Sequence, residues 1–151
     1  MEKAEILVVD DDKEIREMLK ELFEAEGYRV ATASTAMEGV KMIETDLQRF
    51  NVVVSDIMMP GISGLEFLKE IKKITKYIEV ILMTGYSTME LAIDCLDQGA
   101  FSYLEKPLDQ IETILDRVKM AVEYQRHKRE IVFKAFQTKK KKAKDVSRVV
   151  M

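Results

Sequence analysis

ILVVDDDKEIREMLKELF (residues 6–23) begins with four apolar residues, passes through three acids and then changes period. Ile6–Val9 is short, β-branched and without a polar face, which suits a strand buried on both sides. After the acids, Ile15, Met18, Leu19, Leu22 and Phe23 recur at helical spacing. One strand followed by one helix is half of a parallel unit, and the alternation repeats along the chain. Further strands are expected at Val30–Ala33, Val52–Val54, Val80–Met83 and Phe101–Leu104. Helical spacing joins Ala36, Val40, Ile43 and Leu47, then Phe67, Leu68, Ile71 and Ile74. Less clearly it joins Leu91, Ala92, Cys95 and Leu96; the last set is Ile111, Ile114, Leu115, Val118 and Val122. The pairs Asp11…Glu14, Thr35…Glu38, Ser63…Glu66, Ser87…Glu90 and Asp109…Glu112 place a capping side chain three residues before a glutamate. Asp12 has a competing reading as a plain cap. Gly27 and Gly99 sit where the first and fourth helices should stop. Five such alternations with right-handed crossovers make a parallel α/β sandwich.

In that architecture ligands sit beyond the carboxyl ends of the strands. The first strand is followed by Asp10, Asp11 and Asp12, the second by Ser34, and the third by Ser55 and Asp56. Thr84 follows the fourth, and Lys106 with Pro107 follows the fifth. The second strand brings nothing charged, as expected of an edge strand in an order such as 2-1-3-4-5. Clustered carboxylates need a compensating cation to stay ionised at neutral pH. An all-oxygen donor set suits Mg²⁺. A carboxylate among them can attack phosphorus, while a hydroxyl and a lysine hold the phosphoryl oxygens. The spacing argues for phosphoryl chemistry on an aspartate.

Composition narrows the alternatives. The 151 residues contain one cysteine (Cys95) and one histidine (His127), which leaves no internal disulfide framework, zinc ribbon or paired-histidine mechanism. No apolar run is long enough to span a membrane, and MEKAEILVVDDD does not read as a signal peptide, so a cytoplasmic location is expected. Charge divides the chain. Residues 1–116 carry 12 basic and 24 acidic side chains, whereas residues 117–151 carry 12 and 3. An acidic body therefore ends in a basic segment that includes Lys139–Lys142.

ILVVDDD (6–12), VVVSDIMMPGISGLEF (52–67), VILMTGYS (80–87) and YLEKP (103–107) resemble the motifs of bacterial two-component response-regulator receiver domains. The resemblance covers roughly residues 4–122, with every motif in order. It implies a flavodoxin-like fold: a five-stranded parallel sheet, order 2-1-3-4-5, sandwiched by five helices. It implies that Asp56 is the phospho-acceptor, and that Asp10, Asp11, Asp56 and the backbone carbonyl of Met58 hold Mg²⁺. Thr84 and Lys106 would bind the phosphoryl group, Thr84 and Tyr103 would switch, and the Lys106–Pro107 bond would be cis. The donor would be a histidine kinase or a histidine phosphotransfer protein, in a phosphorelay.

The expected organisation is a receiver domain over 1–122 and a basic helical extension or tail over 123–151, with no separate output or DNA-binding domain. The expected function is a stand-alone receiver that is not an enzyme beyond its own phosphorylation and slow dephosphorylation. The downstream partner is unknown, and a homodimer through helix four, strand five and helix five, or through the extension, is envisaged. The competing reading is a Mg²⁺-dependent phosphohydrolase of the haloacid-dehalogenase kind, with Asp10 as nucleophile and Asp12 as general acid. In that reading Asp56 has no natural role. Met58 and Tyr86, two residues after Asp56 and Thr84, carry no group that could orient a hydrolytic water. A long-lived phospho-form is therefore expected.

Overall fold

The computed structural model describes residues 2–85 and 89–150, with the side chains of 148–150 excepted. Its elements are β1 (Glu5–Val9), α1 (Lys13–Ala25), β2 (Arg29–Ala33), α2 (Ala36–Thr45), β3 (Val52–Asp56), α3 (Gly64–Ile74), β4 (Glu79–Thr84), α4 (Met89–Asp97), β5 (Ser102–Glu105) and α5 (Ile111–Val150). The sheet is parallel throughout, in the order β2-β1-β3-β4-β5. Because side chains alternate along a strand, Leu7, Val9, Val53 and Leu82 pack on one face against Phe67, Leu68, Ile71 and Cys95. Ile6, Val8, Val54 and Ile81 pack on the other against Leu19, Phe23, Ile114 and Val118. Residues of β1 from Ile6, and all of β3 and β4, are buried, which explains their unbroken apolar runs.

Of the five expected helix caps, two form as expected and two shift by one residue. Glu38 N–H donates to Thr35 Oγ1 at 3.1 Å, and Glu66 N–H donates to Ser63 Oγ at 3.2 Å. At α1 the cap is Asp12, not Asp11: its Oδ1 accepts from Glu14 N–H at 2.9 Å and Ile15 N–H at 3.5 Å. The turn is one residue longer because Asp10 Oδ1 accepts from Asp12 N–H at 2.9 Å. Gln110, not Asp109, precedes α5, and its carbonyl accepts from Ile114 N–H at 3.2 Å. The expected Ser87 cap lies outside the described residues. Gly27 and Gly99 follow α1 and α4 with φ of 93° and 102°, values that favour glycine. Leu47 falls beyond the end of α2 and is exposed. Phe101 precedes β5 and sets its ring 5.7 Å from that of Tyr124.

The last helix continues without interruption to Val150, and its first half grips the body well past Val122. Gln125 is fully buried; its Oε1 accepts from Asn51 Nδ2 at 2.8 Å, while Asn51 Oδ1 accepts from Glu5 N–H at 2.9 Å. Lys128 Nζ pairs with the buried Glu79 carboxylate at 2.9 Å, and Arg126 Nη2 donates to the Glu2 carbonyl at 2.6 Å. Within the polar stretch, Gln125, Arg126 and Lys128 are therefore specific anchors. From Glu130 to Ser147 every residue is exposed. Among the described residues no helix is long and apolar enough to cross a membrane.

Candidate functional site

Parallel pairing sets the carboxyl ends of β1, β3 and β4 side by side, with Val9 beside Ser55 and Asp56 beside Met83. The residues that follow must therefore converge. One carboxylate oxygen each from Asp10, Asp11 and Asp56 lies within 4.8 Å of the others. Asp10 and Asp56 are buried and Asp11 is exposed, so the cluster has a dry floor and an open mouth.

Lys106 closes the cluster from β5. Its Nζ donates to Asp10 Oδ2 at 3.2 Å and to Asp56 Oδ2 at 3.0 Å. The loop carrying it is fixed where Lys106 N–H donates to the Thr84 carbonyl at 2.8 Å, and the Lys106–Pro107 peptide bond is cis. Asp56 Oδ1 accepts from Met58 N–H at 3.2 Å. Three carboxylates against one ammonium leave two negative charges in excess. Burial raises the Asp10 pKa above the ordinary carboxylate range, and the charge of Asp56 adds to this against the opposing Asp12 N–H and Lys106. Burial alone would lower Lys106, but the hydrogen bonds and charges of Asp56 and Asp10 outweigh it and its pKa is raised. A hard oxygen donor set with surplus negative charge fits a divalent cation such as Mg²⁺.

Thr84, the last residue of β4, is buried beside this cluster's strand ends. Tyr103 lies half-buried in β5, where its carbonyl accepts from Arg117 Nη1 at 3.1 Å. Met58 is exposed in the loop after β3, and Tyr86 falls outside the described residues. Asp12 is occupied as a cap. Cys95 is buried in the α2–α4 layer, where burial raises its thiol pKa, and His127 is exposed, far along α5.

Two positioning residues escape a reading by motif. Arg16 Nη1 donates to the Asp10 carbonyl at 2.7 Å, fixing the backbone of the buried acid from one turn into α1. Gly64 starts α3 directly against the end of β3. A Cβ there would collide with the Asp56 carbonyl oxygen and lie 2.7 Å from Ile57 Cα. A glycine at a helix start carries no such signal in sequence, because the conflict depends on a strand that approaches it in space.

The sequence profile described as "Response regulator receiver domain" matches residues 6–119. The chain belongs to the response-regulator receiver family. Sporulation initiation phosphotransferase F of Bacillus subtilis (strain 168) is 35% identical over 119 residues, covering 79% of this chain and 94% of that protein. The transcriptional regulatory protein ZraR of Klebsiella oxytoca is 41% identical over 108 residues, covering 72% of this chain but 24% of that protein. The chain thus spans about a quarter of the length of the transcriptional regulators it matches. A crystal structure of a response regulator receiver domain protein from Clostridium thermocellum superposes with a TM-score of 0.77 at 36% identity, covering 82% of this chain and 97% of that one. Receiver domains are signalling domains, and these matches give no support to the dehalogenase-like alternative.

Proposed function

We propose that Asp56 accepts a phosphoryl group from a histidine kinase or histidine phosphotransfer protein, and that the modified domain alters its binding to a partner. The observation that carries this reading is the Lys106 ammonium held between Asp10 and Asp56, at 3.2 and 3.0 Å, from positions 96 and 50 residues away. An Asp56 oxygen forms the new P–O bond while the P–N bond of the phosphohistidine breaks, and the imidazole leaves with the bonding pair. Lys106 and the Thr84 hydroxyl hold phosphoryl oxygens as charge develops on them. Mg²⁺, held by Asp10, Asp11, Asp56 and the Met58 backbone carbonyl, would offset that charge. Thr84 and Tyr103 transmit the change toward α4, β5 and α5.

The domain turns over no external substrate beyond its own phosphorylation and the slow loss of the group. It acts in the cytoplasm. The receiver unit occupies residues 1–122, and residues 123–151 form a helical extension whose first turns remain tied to the body. Output includes a homodimer, through α4, β5 and α5 or through the extension. Exposed Ile131, Phe133 and Phe136 support the latter. Incubation with acetyl phosphate and Mg²⁺ tests the chemistry: one phosphoryl group per chain is expected, and none in Asp56→Asn. Undiminished labelling of that variant would remove Asp56 from the role.

A further inference from the structure

At the amino ends of the strands, opposite the carboxylate cluster, α5 leaves the body and a groove of about 830 Å³ opens beside it. Tyr77, Val132, Phe133 and Phe136 give it an apolar lining, and Phe136 is 65% exposed. Its charged lining is of one sign: Lys72, Lys73, Lys76, Lys128 and Arg129, with no carboxylate. Glu79 and Glu70, outside the groove, neutralise Lys128 and Lys73. An apolar groove with surplus positive charge calls for an acidic, amphipathic occupant.

The same chain carries such an element. In α4, Met89, Ile93 and Leu96 are 80%, 50% and 48% exposed, which is unusual for three large apolar side chains on one short helix. Glu90, Asp94 and Asp97 are the charged residues of that helix, and it holds no basic one. One surface is apolar and cationic, the other apolar and anionic; Asp97 borders Lys72 and Lys76 of its own chain, and among the described residues the apolar side chains of both surfaces stay exposed.

We propose that the groove between α5 and the end of α3 receives α4 of a second copy. The contact is reciprocal, each copy giving one helix and one groove, so it closes at two chains instead of propagating. Leu96 and Ile93 meet Phe136 and Tyr77, while Asp94 and Asp97 face Lys73 and Lys76. This inference rests on the homodimer reading above and assigns its surfaces.

Sedimentation equilibrium of the full chain at low salt tests it. The wild-type chain is expected as a dimer that weakens as salt rises. Phe136→Glu, and separately Ile93→Lys with Leu96→Lys, should each weaken association by about tenfold or more. All three positions are exposed, so each variant should keep its fold, checked by an unchanged far-ultraviolet circular dichroism spectrum. Reversing the groove (Lys73→Glu with Lys76→Glu) or the helix (Asp94→Lys with Asp97→Lys) should weaken it, and the four changes together should restore it. A dimer indifferent to these substitutions overturns the assigned surfaces and leaves the homodimer standing. A monomer under all conditions overturns both, as does a monomer that uses Phe136 to bind anionic vesicles.

Discussion

Gly64→Ala is predicted to damage both stability and phosphorylation, through the backbone that carries Asp56. The added Cβ would lie 2.7 Å from Ile57 Cα and 2.9 Å from the Asp56 carbonyl carbon. Non-bonded carbons rest about 3.5–4.0 Å apart, so roughly 1 Å must be relieved. No flexible side chain can yield it. Ile57 is tied to β4, its N–H donating to the Met83 carbonyl at 2.9 Å, and its own carbonyl accepts from Gly64 N–H at 2.8 Å. Overpacking of this kind costs about 1–3 kcal/mol, and rigid backbone on both sides puts the cost at the upper end. Helix propensity returns at most about 1 kcal/mol, less at a first helical position. A net loss of about 2 kcal/mol lowers the melting temperature of a domain this size by roughly 4–8 °C. Gly39→Ala is the control. Its Cβ would meet a side chain, the buried Phe67 ring at 2.8 Å, and no backbone, so a smaller loss of about 1 kcal/mol and an unchanged labelling rate are expected. Urea unfolding measures the first effect. The rate of labelling by acetyl phosphate measures the second, since displacing Asp56 from Lys106 misaligns the acceptor. A Gly64→Ala protein with wild-type midpoint and labelling rate would refute the reasoning.

Asp11→Ala should weaken Mg²⁺ binding about tenfold or more in calorimetric titration, because it removes the exposed oxygen donor of the cluster. Lys106→Ala should bind Mg²⁺ at least as tightly as wild type, since it deletes the competing cation, yet label more slowly. Truncation after Glu130 should leave the urea stability of the monomer, measured at high dilution, unchanged, because residues 131 to 147 are exposed. Truncation after Glu123 should cost about 3–6 kcal/mol by stranding the Asn51 amide and the buried Glu79 carboxylate. Met58→Asn combined with Tyr86→Glu should hasten loss of the phosphoryl group, measured by decay of the labelled form. An unchanged decay rate would show that water access at these positions does not limit the lifetime.

Fold and carboxylate cluster were legible because both follow from local pattern. Apolar β-branched runs alternating with helical spacing give the parallel sheet, and the residues after each run then share one edge. What was less legible depends on partners distant in sequence. Asp12 displaces Asp11 as the cap because Asp10, already held by Lys106, also takes the Asp12 N–H. Gln125 reads as a break in an apolar pattern until Asn51, 74 residues earlier, supplies its hydrogen bond. Gly64 looks replaceable until the end of β3 lies against it.

The same distinction applies to α5 as a whole. Val118, Val122, Gln125, Arg129, Val132 and Phe136 recur every three or four residues, so they share one face of a single uninterrupted helix. Along the first half of that face, Val118, Val122 and Gln125 are buried. The second half has the same period but no strand opposite it, and Val132 and Phe136 stand exposed. The sheet ends before the helix does. A sequence pattern that continues past its own cover is a demand for another surface, and the demand is strongest at Phe136, the most exposed of these apolar side chains, where the neighbouring charges are basic.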